Sequence, residues 1–132
     1  MAEYVRFEVY IPVHYTVTKR IKGGKQQKVM HALDEKTVIQ FIRACCQKYS
    51  GATRANPATA APYQGWWREE GEEEEKEPSI DYHTYVFILV RDYQTNEALA
   101  FFDEWEKKLA KKTEQKKILV TYHPVKTRGN YI

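Results

Sequence analysis

The segment Asp81–Arg91 is the most apolar run in the chain, and it constrains the fold more than any other feature. One side of this segment carries Tyr82, Thr84, Val86, Ile88 and Val90, and the other carries His83, Tyr85, Phe87 and Leu89. An antiparallel sheet that faces water on one side carries polar residues there, so a strand with two apolar sides belongs inside a sheet whose faces are both covered. We therefore predict a central strand with helices behind it and a water-excluding layer in front.

A second strand is predicted over Tyr4–Val17, where the odd-numbered residues are apolar and the even-numbered residues are mostly polar. A period of two over fourteen residues is a strong strand signal. Pro12 has no backbone N–H to donate, so this strand is expected to have a free side, a bend or a bulge near that residue.

Two amphipathic helices are predicted from apolar residues at helical spacing. Asp34 and Thr95 are the predicted N-caps, and Gly51 is the predicted residue just after the first helix. The apolar stripes comprise Val38, Ile42, Cys45 and Tyr49 in the first helix and Ala98, Phe102, Trp105 and Leu109 in the second.

Two weaker strands, Gln64–Glu69 and Lys117–Val125, complete an order of strand, helix, strand, strand, helix, strand. That order is the ferredoxin-like βαββαβ arrangement, an α+β fold with a four-stranded antiparallel sheet and two helices on one face. Its central pair would be Tyr4–Val17 and Asp81–Arg91. The length of 132 residues fits one domain, residues 1–132, with flexible loops at about 18–32 and 52–78 and a tail at 126–132.

A basic loop and an acidic run stand out in the charge pattern. The basic residues are Lys19, Arg20, Lys22, Lys25 and Lys28, and they surround Gly23-Gly24. The glycines favour a turn, so this loop is expected to be a small hairpin, either a phosphate-binding finger or a solvated tip. The run Glu69–Glu77 holds seven carboxylates in nine positions and is read as a solubilising loop, a metal-collecting tip or an electrostatic partner for a neighbouring subunit's basic loop.

Several segments resemble a small bacterial ferredoxin-like family in which a Gly-Gly-x-Thr element ends a helix and a Gly-x-Trp segment follows in a hairpin. The matching residues are Ser50-Gly51-Ala52-Thr53, Gly65-Trp66-Trp67-Arg68, Glu77-Pro78 and Gln115. The resemblance spans about residues 34–125, with Ser50-Gly51 in place of the glycine pair. It implies the fold and carries no assigned activity.

Composition narrows the possible ligands and the cellular location of the protein. The net charge of +3 is lower than that of most whole-surface nucleic-acid binders. Cys45 and Cys46 lack metal-ligand spacing, which is typical of a reduced, cytoplasmic chain. The sequence holds no window of about 20 apolar residues that would span a bilayer, and its first residues do not resemble a signal peptide. We expect no cofactor and no metal.

Three functions remain open from the sequence. The first is a small oligomeric binding or regulatory module without a catalytic motif, a homodimer formed through the sheet face. The second is an enzyme of the dimeric α+β-barrel type, with a pocket lined by His, Tyr and Trp. The third is a nucleic-acid-binding protein that uses sheet aromatics together with the basic loop.

Each function has its candidate residues. The catalytic candidates are His14, His83, His123, Tyr10 and Tyr85. The candidate ligand-binding residues are Trp66, Trp67 and Phe87, with the two tryptophans as a lid over the sheet. The phosphate or nucleic-acid candidates are Lys19, Arg20, Lys22, Lys25 and Lys28.

Overall fold

A computed structural model describes residues 3–20, 22–55, 63–67, 79–115 and 117–129. The chain is an α+β protein with one antiparallel sheet and two long helices. The elements are β1 (Glu3–Arg20), β2 (Gln26–Ala32), α1 (Glu35–Tyr49), β3 (Thr53–Ala55), β4 (Tyr63–Trp67), β5 (Ser79–Arg91), α2 (Thr95–Lys112) and β6 (Leu119–Lys126). The acidic run Glu69–Glu77 lies outside the described residues.

The two strands at the centre of the sheet are β1 and β5, as the sequence predicts. They pair antiparallel from Tyr4, opposite Arg91, to His14, opposite Tyr82. The outer edge of β1 pairs with β6 along residues 3–10 and with β2 along residues 14–20. The outer edge of β5 pairs with β3 and β4. The six described strands therefore occupy four positions across the sheet.

The prediction of four strands is wrong in two places. The arms of the basic loop extend into a regular ladder, because residues 26–32 pair with residues 14–20 and form the additional strand β2. The weak strand expected at 64–69 is confirmed as β4, and an additional short strand, β3, forms at Thr53–Ala55, where a loop is predicted.

The irregularity expected near Pro12 is confirmed. The register between β1 and β5 shifts between Pro12, opposite His83, and His14, opposite Tyr82, so β1 carries one extra residue there. Such a bulge bends its strand and ends regular pairing. Beyond it, β1 leaves β5 and, within the described part of the chain, pairs with β2.

Both helices cover the same face of the sheet. The core joins the odd-numbered residues of β1 to the even-numbered residues of β5 and to both predicted helical stripes. Phe7 of β1 stacks on Phe102 of α2, with ring centroids 4.7 Å apart, and Phe41 of α1 meets Trp105 of α2 at 5.3 Å. The odd-numbered residues of β5 consequently lie on the opposite face.

The short strand β3 is held in place by an arginine. Arg54 donates from Nε to Thr84 Oγ1 over 3.1 Å, and its guanidinium also bonds both carboxylate oxygens of Glu35 at the start of α1. Thr84 Oγ1 in turn donates to the Ala55 carbonyl over 2.8 Å. These bonds link β3 to β5 and to α1, which compensates for a ladder of only three residues.

One of the three predicted helix-terminus residues is confirmed. Asp34 caps α1, and its carboxylate accepts the backbone N–H of Lys36 over 2.9 Å. At the other end Ser50, not Gly51, takes the left-handed conformation, with φ of 68°, while its N–H donates to the Cys46 carbonyl. The last turn of α1 therefore closes one residue earlier than predicted.

The predicted cap of α2 is also wrong. A short 3-10 turn, Asp92–Gln94, precedes the helix, and the Gln94 side chain accepts the backbone N–H of Arg91 over 3.2 Å. Thr95 is the first residue of α2, and its hydroxyl donates to the Asp92 carbonyl over 2.6 Å. Because Thr95 already has helical backbone geometry, it cannot serve as the cap.

Candidate functional site

The face of the sheet opposite the helices carries most of the candidate residues, and we call it the open face. Side chains alternate along each strand, and directly opposite residues share a face, so the pairing register assigns its members. They are Tyr4, Arg6, Glu8, Tyr10 and Pro12 of β1, His83, Tyr85, Phe87, Leu89 and Arg91 of β5, and Leu119, Thr121, His123 and Val125 of β6.

A row of aromatic side chains crosses the middle of the open face. Tyr10 and Tyr85 are direct partners in the ladder, with ring centroids 5.5 Å apart, and Tyr85 lies 6.0 Å from Phe87. All three side chains are half-buried. The Arg6 guanidinium lies 3.9 Å from the centre of the Phe87 ring, so Phe87 does not present a bare ring to a stacking ligand.

The charges in the middle of this face neutralise one another around Glu8. Its carboxylate lies 2.9 Å from Arg6 Nε and accepts the hydroxyls of Tyr10 at 3.2 Å and Thr121 at 3.3 Å. The Arg6 contact is ionic, because the Nε–H does not point along a hydrogen-bonding direction. The aromatic row is therefore bordered by a closed, near-neutral polar cluster.

A cavity of about 270 Å³ opens at the margin of the open face, between the end of α1 and the edge of β5. It is lined by Tyr49, Ser50, Gly51, Ala52, Thr53, Phe87 and Leu89. The segment Ser50–Thr53, one of those resembling the bacterial family, thus forms one wall. Sequence reasoning treated this segment as a helix end and missed the cavity, because the second wall comes from β5 more than thirty residues later.

Tyr49 has a buried hydroxyl with no hydrogen-bond partner among the described residues. Its ring packs edge-on against Phe101 at 5.4 Å and stacks on Phe102 at 6.2 Å. Burial, aided by the nearby negative charge of Glu97, raises the pKa of Tyr49 to about 12. The phenol therefore stays protonated at neutral pH and acts in packing rather than as a base.

The three candidate histidines do not converge. His14 and His83 lie near the bulge, where His14 meets the Tyr82 ring edge-on at 6.4 Å and His83 faces Pro12 across the ladder. His123 is exposed and pairs with Arg6, which lies eight residues before His14 in β1. At about 3.4 Å per residue, that separates them by roughly 27 Å. A single acid–base pocket holding all three is excluded.

His83 lies in an environment that changes its titration. Burial lowers the pKa of His83, and the nearby Asp81 carboxylate opposes that shift. The neutral imidazole is therefore the favoured form at pH 7, which suits a hydrogen-bonding role in the sheet.

The two candidate lid residues are only partly described. Trp66 is 60% exposed and stands opposite Ile80, and its indole donates to Gln64 over 3.2 Å. Ile80 shares the face of the even-numbered residues of β5, so the register places Trp66 on the other side of the sheet from Tyr85. The structure describes only the backbone of Trp67. Most of the segment proposed as a lid lies outside the described residues.

The basic loop is a β-hairpin, as predicted. Its strands pair from His14, opposite Ala32, to Arg20, opposite Gln26, and the turn contains Gly23 and Gly24 with φ of 96° and 79°. Lys19, Arg20, Lys22, Lys25 and Lys28 are all exposed. These residues lie at the far end of β1 from Arg6, so the hairpin and the aromatic row are separate surfaces.

Sequence reasoning did not single out Arg6, Glu8, Leu119 or Thr121, although all of them border the aromatic row. Strand alternation already placed Arg6 and Glu8 on the side of Tyr10, but the pairing with β6 that adds Leu119 and Thr121 needed the tertiary register. Within the described part of the chain, no group of three His, Cys, Asp or Glu residues could hold a metal ion.

Comparison with other proteins adds no relative. No protein-family model, curated protein or solved structure matches the chain. Among the described residues, neither helix is long and apolar enough to cross a membrane.

Proposed function

We propose that the protein is a small binding module that acts as a homodimer, with the open faces of two sheets packed against each other. The observation that carries the proposal is the half-buried aromatic row of Tyr10, Tyr85 and Phe87 on the face that neither helix covers. Aromatic side chains are enriched at the centres of protein interfaces because they bury a large area at a small cost in entropy.

The polar groups of the open face also suit a dry contact. Burial of an unpaired charge would oppose association strongly, but Arg6 and Glu8 already pair with each other. Leu119, which lies opposite Tyr10 in the ladder, is 59% exposed and extends the apolar area. Two such faces can therefore meet without burying either of these charges unpaired.

The size of the face is sufficient for a modest interface. The central ladder spans residues 4–14, about 35 Å at the usual rise per residue. Four strand positions about 4.8 Å apart make it about 14 Å wide, which gives roughly 500 Å² per partner. The total of about 1,000 Å² reaches the lower bound of specific interfaces.

The finer fold assignment that goes with this proposal is ferredoxin-like. If β2 counts as an extension of the β1 hairpin and β3 with β4 as one interrupted strand, the order of elements becomes βαββαβ. A ferredoxin-like sheet with helices on one side leaves its other side available for pairing with a second sheet. We further propose a reducing, cytoplasmic setting, since both cysteines are free thiols.

Light scattering after size exclusion tests the dimer. At about 100 µM we expect the wild type to elute at twice the 15.6 kDa mass of the chain. Tyr85→Glu places a carboxylate in the aromatic row beside Phe87, and we expect it to elute as a monomer.

Tyr93→Glu is the matched control. Tyr93 is 78% exposed in the 3-10 turn that follows the last ladder pair of β5, outside the sheet, so the same chemical change there should leave the dimer intact. Circular dichroism of both variants verifies that each is folded. A monomeric wild type at this concentration, or equal dissociation of both folded variants, would refute the proposal.

A further inference from the structure

We propose that the hairpin formed by residues 17–29 binds duplex DNA, entering the major groove with its cations on the phosphates. The inference concerns a surface distinct from the open face and does not depend on dimerisation. It rests on the charge of the hairpin, its freedom from neighbouring elements, its shape and the absence of aromatic side chains.

The hairpin concentrates positive charge, and its own sequence supplies no carboxylate to offset it. The sequence contains no Asp or Glu from Val9 to Leu33, while five Lys and Arg residues fall between Lys19 and Lys28. Among the described residues, no carboxylate lies within ion-pairing distance of Lys19, Arg20, Lys22 or Lys25. Exposed cations at this density are the electrostatic signature of a phosphate-binding surface.

Among the described residues, the hairpin pairs with no other strand beyond its base. The pairing of β1 with β5 ends at His14, and the last anchor to β5 is Thr16, which bonds to Ile80 and Asp81. Further along, the one described strand that pairs with β1 is β2. A Cβ added at Gly23 or Gly24 would meet no atom within 4 Å, so the tip has open space around it.

The shape of this projection fits a groove. Four ladder pairs, from Val17 with Val29 to Arg20 with Gln26, extend beyond the anchor, which gives about 14 Å of two-stranded ribbon. The major groove of B-DNA is about 12 Å wide and admits such a ribbon. Arg20 and Gln26 are direct partners and share one face, where an arginine and an amide can reach base edges.

The residue composition of the hairpin favours duplex DNA over other polyanions as its ligand. Single-stranded nucleic acids are held by stacking on aromatic side chains, and the sequence from Thr16 to Met30 contains none. The major groove of an RNA duplex is too narrow and deep for side chains to read. The sequence between Arg20 and Gln26 holds a single apolar residue, Ile21, which is too little apolar area for insertion into a membrane surface.

The test is fluorescence anisotropy of the full chain with a labelled 20-base-pair DNA duplex at 50 and 200 mM NaCl. With three to four phosphate contacts, the affinity should fall about 40- to 150-fold between these salt concentrations. The double variant Lys19→Gln, Lys25→Gln should weaken binding roughly 10-fold or more at 50 mM NaCl and reduce the salt slope by about 2.

The matched control is Lys107→Gln, Lys126→Gln, which removes the same charge from α2 and from the end of β6. Lys126 pairs in register with Glu3, at the end of β1 opposite the hairpin. This control should retain most of the affinity of the wild type. The inference is overturned if the wild type does not bind at 50 mM NaCl, if both double variants lose affinity equally, or if single-stranded DNA or duplex RNA of the same length binds more tightly.

Discussion

Thr16 donates its backbone N–H to the Asp81 carboxylate over 2.7 Å, which joins the base of the hairpin to the start of β5. The Thr16 hydroxyl adds a second link, to the Ile80 carbonyl over 3.0 Å. Asp81 is 3% exposed, so its carboxylate is cut off from water and depends on the hydrogen bonds it accepts. This contact takes over where the bulge at Pro12–His14 has ended the regular ladder.

Replacing this carboxylate should destabilise the protein. Asp81→Ala leaves the Thr16 N–H without its acceptor, and a lost charge-assisted bond to a buried group costs about 1.5–3 kcal/mol. Asp81→Asn retains an acceptor oxygen and should cost less than half as much. Urea unfolding followed by circular dichroism measures both values. Equal losses for the two variants would show that the hydrogen bond to Thr16 is not the source of the stability.

Stability should also fall on acidification because of His83. Burial lowers the pKa of His83 in the folded protein below the value near 6.5 of the unfolded chain. His83 contributes its full share of the stability of the folded protein when the pH is above the pKa of the unfolded chain, about 6.5. As the pH drops below about 6.5, the unfolded chain binds the proton more readily, and the folded state loses stability.

The measurement compares urea midpoints at pH 7.5 and 5.5 for the wild type and His83→Gln. The wild type should lose more stability over this interval than the variant, since other titrating groups act equally on both. His123→Gln is the control, because His123 is exposed, and it should behave as the wild type does. A variant His83→Gln with the full pH dependence would contradict the assignment.

The two adjacent cysteines should react at very different rates. Burial, aided by the adjacent Cys46, raises the pKa of the Cys45 thiol to about 12, whereas Cys46 is exposed. Since the thiolate is the reactive species, a disulfide reagent such as DTNB at pH 8 should label one thiol per native chain and the second only after unfolding.

Single substitutions identify the thiol that reacts. Cys46→Ser should abolish the fast reaction, and Cys45→Ser should leave it unchanged. Fast labelling of two thiols in the native protein would mean that the C-terminal turn of α1 opens readily, contrary to the packing of Cys45 in the core.

Local patterns predicted the elements of this protein well. The alternation in Tyr4–Val17 and the apolar run in Asp81–Arg91 identified β1 and β5, which pair at the centre of the sheet. The stripes of both helices were confirmed because their burial depends on a period of about 3.6 residues, which the sequence displays directly. The glycine pair within the basic loop similarly predicted a hairpin.

The helix ends were less predictable. A glycine two residues after Tyr49 suggested where α1 stops, yet Ser50 takes the left-handed conformation instead. Likewise threonine is a residue type favoured at N-caps, but Thr95 lies inside the helix. The Gln94 side chain instead accepts the backbone N–H of Arg91 in the preceding turn. Cap geometry depends on hydrogen bonds among neighbouring backbone groups, which residue preferences describe only on average.

By itself, the sequence determined that β5 has two apolar faces, that two amphipathic helices exist and that positive charge is gathered on one hairpin. Only the tertiary structure decided which face of β5 meets the helices, because two apolar faces give the same local signal. It also decided that Arg6 and Glu8 pair beside the aromatic row and that His123 lies far from His14. These outcomes depend on the register between strands distant in sequence, and register is set by packing across the whole sheet rather than by any single segment.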